Sequence, residues 1–305
     1  RPDRLLALRL QPEGYLASFG STRSLAIMAW GQDVLHYALG HPAHRLLARR
    51  AVRRANLLLG ETEPVLEAWR TLGAPEERTA LGFTGIDLSF WRPPAGDERP
   101  LARGDLARLH PAWDEALSAG APVLLSPRAI ARRGHQEDLL RAFAVSAPAN
   151  ALLLQVGAGE SAARLRCRCL AESLRMTERY LDLGCVPPEL LRRLAWGSEA
   201  IVSLWSPDGL SQSLLEGMAA GLLPVAADLP GNREWIRSGE NGFLVDPGDP
   251  SAIGGALRTG LTDEGLRGRV SAHNGRILAA RADRVLNMGR LTEMIVRRGA
   301  GGETS

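Results

Sequence analysis

The stretch AIVSLWSPDGLSQSLLEGMAAGLLPVAA, residues 200–227, decides the fold. It begins with an apolar run that ends at Trp205 and continues through a loop of small and polar residues. Helical periodicity follows from about Ser211, and a second apolar run covers Leu223 to Ala227. Two apolar runs of strand length joined by a helix form the unit of parallel βαβ construction. The stretch therefore predicts an α/β fold.

The same alternation of strand-length runs and helical patterns extends along the chain. In the first third, strands are expected near Arg4 to Leu8, Leu25 to Ala29, Ala55 to Leu59 and Arg78 to Leu81, with helices around Glu13, His41 and Glu63. Later strands are expected at Pro122 to Ser126, Ala151 to Val156, Tyr180 to Leu183 and Phe243 to Val245, and a last helix covers about Ala282 to Arg298. A dinucleotide-type domain normally holds about six strands. The first domain is therefore expected to be incomplete, without its opening strands.

Residues 83–100 are rich in Gly and Pro and show no periodicity, and the polar region after them extends to Pro122. The interdomain linker is expected there. We predict one Rossmann-like domain with its linker at 1–117 and a second at 118–280. Residues 281–305 would form a C-terminal helix that returns to the first domain, and a Gly-rich tail.

The composition is that of a globular protein, with 45% apolar and 23% charged residues and a net charge of +3. No apolar run reaches the roughly 18 residues of a membrane span. The chain shows no leader, which favours a cytoplasmic location, and the small charge does not indicate a nucleic-acid partner. Cys167 and Cys169 would diverge on a helix, so that the three cysteines are interpreted as reduced thiols.

All basic residues are arginines, and five of them lie in the predicted helix HPAHRLLARRAVRR, residues 41–54. Leu46, Leu47, Ala51 and Val52 are expected on one side of this helix. Such a helix could rest on anionic lipid at the inner membrane face. It could also be an ordinary solvated basic helix.

The loop after Trp205 is the best equipped for ligand binding. In an open parallel sheet, ligands bind outside the carboxyl ends of the strands, where helices begin. Gly209 allows the backbone to approach a ligand, and the amides of Leu210 and Ser211 favour phosphate oxygens. The helix would bury Leu214, Leu215 and Met218.

Two acidic residues flank this anion site. Glu216 points away from the buried stripe of its helix at about 100° per residue. It lies about 7.5 Å beyond the phosphate position, a distance that suits the two hydroxyls of a ribose. Asp208, at the loop tip, could accept hydrogen bonds from a sugar.

Asp208 and Glu216 have seven residues between them and precede GMAAGLLPVAADLPGNREWI at 217–236 and NGFLV at 241–245. This pattern resembles the paired-acid signature of the group-1 retaining glycosyltransferases of GT-B fold. The resemblance implies two facing Rossmann-like domains, the first on the acceptor side and the second binding a nucleotide sugar. It implies that Glu216 binds the ribose, that Asp208 contacts the sugar, and that the amides of Gly209, Leu210 and Ser211 hold the diphosphate.

Other loops also resemble the family. Arg128 and Arg133 look like its Arg and Lys, which neutralise the leaving diphosphate. Gly157 and Gly159, with Gly184 and Val186, resemble the donor-base and phosphate loops. On the acceptor side, Trp30, Gly31 and Asp33 belong to WGQDVL, residues 30–35, where many relatives have a histidine. The chain has Trp30 at that position.

The resemblance implies retaining, metal-independent transfer from a nucleotide-diphosphate sugar to a hydroxyl acceptor. The expected donor is a UDP-sugar, the expected acceptor is a glycan, a lipid-linked or a small molecule, and no cofactor is expected. Two other interpretations stay open. The chain could be a non-catalytic or incomplete donor-binding module that needs another polypeptide. It could also share its fold with sugar-nucleotide epimerases or glycan phosphorylases and catalyse their chemistry.

Overall fold

A computed structural model describes residues 3–300 of the chain. The strands of this range are β1 (Arg4–Ala7), β2 (Ser24–Ala29), β3 (Leu57–Gly60), β4 (Thr79–Leu81), β5 (Val123–Ser126), β6 (Leu152–Gln155), β7 (Tyr180–Asp182), β8 (Ala200–Ser203), β9 (Leu223–Ala227) and β10 (Phe243–Val245). The α-helices are α1 (Tyr15–Ala17), α2 (Pro42–Arg54), α3 (Glu63–Thr71), α4 (Glu98–Ala107), α5 (Pro111–Ser118), α6 (Gln136–Ser146), α7 (Ser161–Ser173), α8 (Pro188–Trp196), α9 (Gln212–Ala219), α10 (Pro230–Arg233), α11 (Pro250–Thr262), α12 (Glu264–Arg281) and α13 (Arg284–Ala300). A short π-helical segment covers Gln32–Ala38, the backbone of Leu10–Gly14 departs from helical geometry at Gln11, and 3₁₀ turns cover Glu76–Arg78 and Arg132–Gly134.

The chain forms two compact units. Unit 1 consists of Arg1–Gly85, Pro207–Leu210 and Arg281–Ser305, and unit 2 consists of Ile86–Ser206 and Ser211–Ala280. Each unit contains one sheet in which every paired strand is parallel. The predicted α/β class with parallel sheets is therefore confirmed. The predicted domain boundaries at residues 117 and 280 stay predictions.

In unit 1 the strands lie in the order β1-β2-β3-β4, with Ala29 opposite Gly60 at the carboxyl edge. One face of the sheet packs on α2 and α3 through an apolar cluster that includes Ile27, Leu58 and Trp69. On the other face, Met28 and Leu59 pack against Leu291 of α13. The sheet is covered on both faces, as an all-parallel sheet requires.

Helix α2 approaches the sheet through small side chains. Its buried residues are Ala48, Ala51 and Val52, whereas Leu46 is 67% exposed. The prediction that Leu46 shares one side of this helix with Ala51 and Val52 is wrong, because at about 100° per residue Leu46 is more than a right angle away from both.

Unit 2 has the strand order β10-β9-β8-β5-β6-β7. The chain enters at β5 in the middle, fills one side with β6 and β7, and then returns to fill the other side with β8, β9 and β10. The order reverses between β5 and β8. Such a reversal leaves a crevice at the carboxyl edge, where the two connections leave in opposite directions. The fold therefore singles out the loops after β5 and β8.

The predicted linker region contains two helices, α4 and α5, that pack within unit 2. Trp113 of α5 is buried, and its Nε1 donates a hydrogen bond to the Glu178 carbonyl at 2.9 Å. Arg99 and Arg103 of α4 both contact the buried carboxylate of Glu199, at 2.6 and 3.1 Å. These helices have only 10 and 8 residues, so that each covers too few turns for its periodicity to be recognised in the sequence.

The ten strands lie within a few residues of their predicted positions, and α13 corresponds to the predicted last helix. The Gly-rich tail lies outside the described residues. In the described part of the chain, no helix combines the length and the apolarity that crossing a membrane requires.

Candidate active site

The loops after β5 and β8 meet at the crevice of unit 2. Arg128, two residues beyond β5, donates from Nη1 to the Ser211 hydroxyl at 3.0 Å. Its guanidinium carbon also lies 5.1 Å from the centre of the Trp205 ring. The Ser206 amide donates to the Arg133 carbonyl at 2.9 Å, which joins the same two loops a second time. The structure thus places the backbone of Arg133 and the side chain of Arg128 beside the loop that leads into α9.

Ser211 caps the helix at which Arg128 is held. Its hydroxyl accepts a hydrogen bond from the Leu214 amide at 3.3 Å. Serine is favoured at this position because it satisfies one of the amides that the first turn leaves unpaired. A helix N-terminus carries partial positive charge, and Arg128 adds a full charge to it. This end of α9 is therefore suited to an anionic ligand.

Glu216 lies at the middle of α9. Leu214, Leu215 and Met218 are buried, as the periodicity predicts, while Glu216 is half-buried. Its carboxylate is on the same helix as the Ser211 cap and about one turn further along. The two features of the sequence signature in unit 2, the helix start and Glu216, are thus held on one rigid element.

The loops after β6 and β7 extend the same edge of the sheet. The Gly157 amide donates to the Gly184 carbonyl at 2.8 Å, and a Cβ on Gly157 would lie 2.9 Å from the Arg128 carbonyl. Gly157 has a φ of 132°, which an L-residue rarely adopts. Gly159 forms a parallel bridge with Ile130 in the loop after β5. The candidate loops of Arg128, Gly157 and Gly184 are therefore in direct contact.

One arginine that the sequence interpretation missed holds these loops together. Arg164 of α7 donates from Nη1 to Asp182 at 2.6 Å and from Nη2 to the Gly157 carbonyl. Asp182, at the end of β7, also accepts a hydrogen bond from the Gly184 amide at 3.1 Å. Val186 is half-buried in the segment that follows. Only long-range contacts reveal Arg164, because a single arginine on a basic helix has no distinguishing pattern.

In unit 1, the segment Pro207–Leu210 lies against the loop after β2. A Cβ on Gly31 would come within 2.5 Å of the Gly209 Cα, and a Cβ on Gly209 would lie 2.9 Å from the Gly31 Cα. Gly31 also has a φ of 93°. Two glycines are therefore required for this approach, which brings Asp208 near Trp30. Gly209 and Leu210 are both buried.

Asp33 organises the loop after β2. One of its oxygens accepts hydrogen bonds from the amides of Trp30 at 3.0 Å and Val34 at 3.1 Å, and the other accepts from the Leu10 amide at 2.9 Å. Burial raises the pKa of this carboxyl above its ordinary value, although the three amides act in the opposite direction. With its oxygens occupied by backbone donors, Asp33 fixes the loop on which Trp30 and Gly31 lie.

Glu61 is a further acidic residue that the sequence interpretation missed. It directly follows β3, is only 6% exposed, and has a pKa raised to about 8 by burial and by the charges of Asp208 and Asp33. Its sequence signal is a carboxylate that immediately follows the apolar run LLLG, residues 57–60, at a carboxyl strand end. Burial of a charged carboxylate costs free energy unless the charge is paired or hydrogen-bonded.

No metal site is evident in residues 3–300, where no group of three or more His, Cys, Asp or Glu side chains could hold an ion. Of the three cysteines, Cys167 is buried while Cys169 and Cys185 are exposed.

A comparison with protein families agrees with this arrangement. The model described as "Glycosyl transferases group 1" matches residues 112–275, more than half of the chain. The chain belongs to this family. The matched range includes Arg128, Arg133, Asp208 and Glu216.

Individual glycosyltransferases are similar to this chain. The putative glycosyltransferase EpsD of Bacillus subtilis is 35% identical over 132 residues, which cover 43% of this chain and 34% of EpsD. The D-inositol 3-phosphate glycosyltransferase of Acidothermus cellulolyticus is 26% identical over 281 residues, which cover 83% of this chain and 60% of that protein. The chain therefore spans less than two thirds of the length of these relatives.

Among solved structures, HepE of Anabaena in complex with UDP and glucose superposes with a TM-score of 0.83 at 20% identity. The match covers 97% of this chain and 78% of HepE. At this identity the likeness establishes the fold, and with it the GT-B type that the sequence predicts.

Proposed function

We propose that this group 1 glycosyltransferase transfers a sugar from a nucleotide-diphosphate sugar to a hydroxyl acceptor, with retention at the anomeric carbon and without a metal ion. The observation that carries the proposal is the 3.0 Å hydrogen bond from Arg128 to Ser211, the residue at which α9 begins. This contact places a fixed guanidinium beside the amides of a helix start. Together these groups can bind a diphosphate leaving group and stabilise its negative charge.

In this mechanism the bond between the anomeric carbon and the diphosphate breaks, and negative charge develops on the departing nucleotide. Arg128 and Arg133 stabilise that charge, together with the amides of Leu210 and Ser211. Because these groups supply the positive potential, the reaction needs no divalent cation and no other cofactor. The acceptor hydroxyl forms the new bond on the same face of the sugar and loses its proton to the leaving phosphate.

The remaining residues bind the donor. Glu216 accepts hydrogen bonds from the two ribose hydroxyls, since it lies about one turn beyond the phosphate position on the same helix. Asp208 orients the sugar, and Gly157, Gly159, Gly184 and Val186 form the base and phosphate loops. We propose a UDP-sugar as the donor, in keeping with UDP in the structure of HepE. The acceptor is a glycan, a lipid-linked or a small molecule.

Calorimetry tests the donor site directly. The protein is titrated with UDP, GDP and ADP, each without metal in the presence of EDTA and then with Mg²⁺. We expect UDP to bind most tightly and EDTA to leave its affinity unchanged. A strict requirement for Mg²⁺, or no binding of any of the three nucleotides, contradicts the proposal.

The alternative function is a donor-binding module that needs a second polypeptide. The residue that favours it is Trp30, which occupies a position where many relatives have a histidine. Release of UDP from UDP-glucose, measured for this chain and for the intact gene product, separates the alternatives. Donor binding by both, with turnover by neither, supports the module.

We further propose that α2 lies against an anionic membrane at the cytoplasmic face. Arg50, Arg53 and Arg54 line a cavity of about 530 Å³ together with Phe19 and the α2 leucines. Leu16, Phe19 and Leu46 are 70%, 63% and 67% exposed. Exposed apolar side chains beside a row of arginines are typical of interfacial helices.

Vesicle flotation tests this contact. We expect the protein to float with vesicles that contain phosphatidylglycerol and to remain in the soluble fraction with pure phosphatidylcholine. Phe19→Ser combined with Leu46→Ser should weaken flotation, and Leu165→Ser, at an exposed leucine of unit 2, is the matched control. No flotation with either lipid would show that the basic helix is only a solvated surface, and equal flotation with both would show that the contact does not depend on anionic lipid.

A further inference from the structure

Buried polar atoms without partners lie together at the carboxyl edge of β2 and β3 in unit 1. Trp30 Nε1, Glu61 Oε1 and Thr62 Oγ1 have almost no exposed surface and no hydrogen-bond partner among residues 3–300. Buried polar groups in native proteins are nearly always paired. Three unpaired atoms at neighbouring strand ends indicate that something else completes their hydrogen bonding.

The register of the sheet brings two of these residues side by side. Ala29 is the partner of Gly60, so that Trp30 and Glu61 are the next positions on adjacent strands. Leu59 and Met28 face the cluster on which Trp30 packs, and the two-residue period of a strand assigns Glu61 to the same face. Neighbours on one face of a sheet are within contact distance.

A pocket of about 290 Å³ has Trp30, the strand neighbour of Glu61, in its lining. Residues of unit 1 line it, among them Arg9, Trp30, Asp33 and Asp208. Asp33 and Asp208 are also the two carboxylates whose charges act on Glu61. The positive group at this pocket is Arg9, whose guanidinium carbon is 6.0 Å from the Trp30 ring centre. With Asp33 and Asp208 as its two acidic lining residues and Arg9 as its one basic lining residue, the pocket has more acidic than basic groups.

We propose that Glu61 is a specificity-determining residue that binds a neutral hydroxyl of the acceptor and disfavours acceptors carrying phosphate or carboxylate. This inference rests on the proposed glycosyl transfer and specifies the acceptor class. Binding requires the Glu61 side chain to turn toward the pocket, a rotamer change that is common at binding sites. A hydroxyl both donates and accepts, so that it can satisfy the Trp30 indole and the Glu61 carboxyl together. An anionic group would be repelled by Asp33 and Asp208.

The raised pKa of Glu61 agrees with this role. Because burial and the two neighbouring charges raise it to about 8, the carboxyl retains its proton at neutral pH. A protonated carboxyl has one donor and one acceptor oxygen, which a hydroxyl matches. The substitution Glu61→Gln would preserve both functions, whereas Glu61→Leu would preserve neither.

The test uses the full-length protein saturated with UDP, so that donor binding is measured before acceptor binding. The probes are myo-inositol and methyl α-glucoside, as neutral polyols, and D-inositol 3-phosphate and L-malate, as anions. We expect at least tenfold tighter binding of a neutral probe than of either anion. The affinity of Glu61→Gln for the neutral probe should be within about threefold of that of wild type, and the affinity of Glu61→Leu should be at least tenfold lower. Glu67→Gln, at an exposed position of α3, is the matched control.

The outcomes separate this inference from the proposed function. Failure to bind UDP contradicts the proposed function itself. If UDP binds but the anions bind as well as the neutral probes, or no probe binds, the inference is overturned while donor binding stands. If Glu61→Leu binds the neutral probes like wild type, the carboxyl does not select the acceptor and the inference is overturned.

Discussion

Arg128 donates a hydrogen bond from Nη1 to the hydroxyl of Ser211 across the strand-order reversal of unit 2, at 3.0 Å. The two residues are 83 positions apart in the sequence. Ser211 also caps α9, so that the guanidinium and the first amides of the helix are fixed at the same point. Preorganised positive groups of this kind stabilise developing charge without reorganisation during the reaction.

Replacement of Arg128 tests whether this cation stabilises the leaving group. We expect Arg128→Ala to lower the rate of UDP release from UDP-glucose by about 10²-fold, the usual effect of removing one such donor. Arg128→Lys should recover only part of the loss, because an ammonium group lacks the planar fork of a guanidinium. Arg132→Ala removes an exposed arginine from the same loop and is the control. Equal rates for Arg128→Ala and Arg132→Ala would exclude Arg128 from the reaction.

Glu216→Ala tests the ribose contact. Because hydrogen bonds to a charged group contribute about 1.5–3 kcal/mol, we expect the affinity for UDP to fall by about 10- to 100-fold in calorimetry. Affinity for inorganic pyrophosphate, which has no ribose, should not change. Glu189→Ala, at an exposed position of unit 2, controls for the loss of negative charge. Parallel losses for UDP and pyrophosphate would mean that Glu216 acts on the phosphate site or on folding.

Gly31→Ala tests the contact between Gly31 and Gly209. The new Cβ would lie 2.5 Å from the Gly209 backbone at a residue with a φ of 93°. We therefore expect the free energy of unfolding to fall by about 2 kcal/mol and the Tm to decrease. Gly40→Ala is the matched control in unit 1, because its Cβ would meet no atom within 4 Å. Similar melting temperatures for the two variants would show that the close approach of the two glycines is relaxed in solution.

Much of the fold is predictable from local pattern. The apolar runs of β5, β6 and β8 are buried on both faces, so that they stand out in the sequence as near-continuous aliphatic stretches. Helices α4 and α5 resemble a linker in the local sequence. They are held by the Trp113 hydrogen bond and by the ion pairs of Arg99 and Arg103 with Glu199, and such long-range contacts leave no periodic pattern in the sequence.

The candidate site is predictable only in part. The segment from Asp208 to Glu216 is contiguous, so that Gly209 and the helix start after it indicate an anion site from the sequence. Arg164 contacts residues that are distant in the sequence, and nothing in its local sequence distinguishes it from a solvated side chain. Glu61 has only its position directly after the apolar run 57–60 as a local signal. Leu46 shows the converse limit, since the small side chains of Ala48 and Ala51 contact the sheet and leave this larger leucine in solvent.

The pKa of Glu61 predicts how stability depends on pH. Its folded-state pKa is about 8, against an ordinary value of 4.5, so between these values the folded protein holds a proton that the unfolded chain has released. Stability must therefore fall as pH rises through this window, by up to about 1.4 kcal/mol per pH unit. Asp33, whose pKa is also raised, acts in the same direction in both wild type and Glu61→Gln.

The difference in Tm between Glu61→Gln and wild type isolates the contribution of Glu61. A glutamine cannot ionise, so we expect the Tm of the variant to rise relative to that of wild type from about pH 5 to pH 8. Above pH 8 the difference in Tm should stay constant. Glu67→Gln, on the exposed face of α3, should give a difference that does not change with pH. If the Tm difference for Glu61→Gln is also independent of pH, then Glu61 is ionised throughout this range and the carboxyl must have a charge partner in solution.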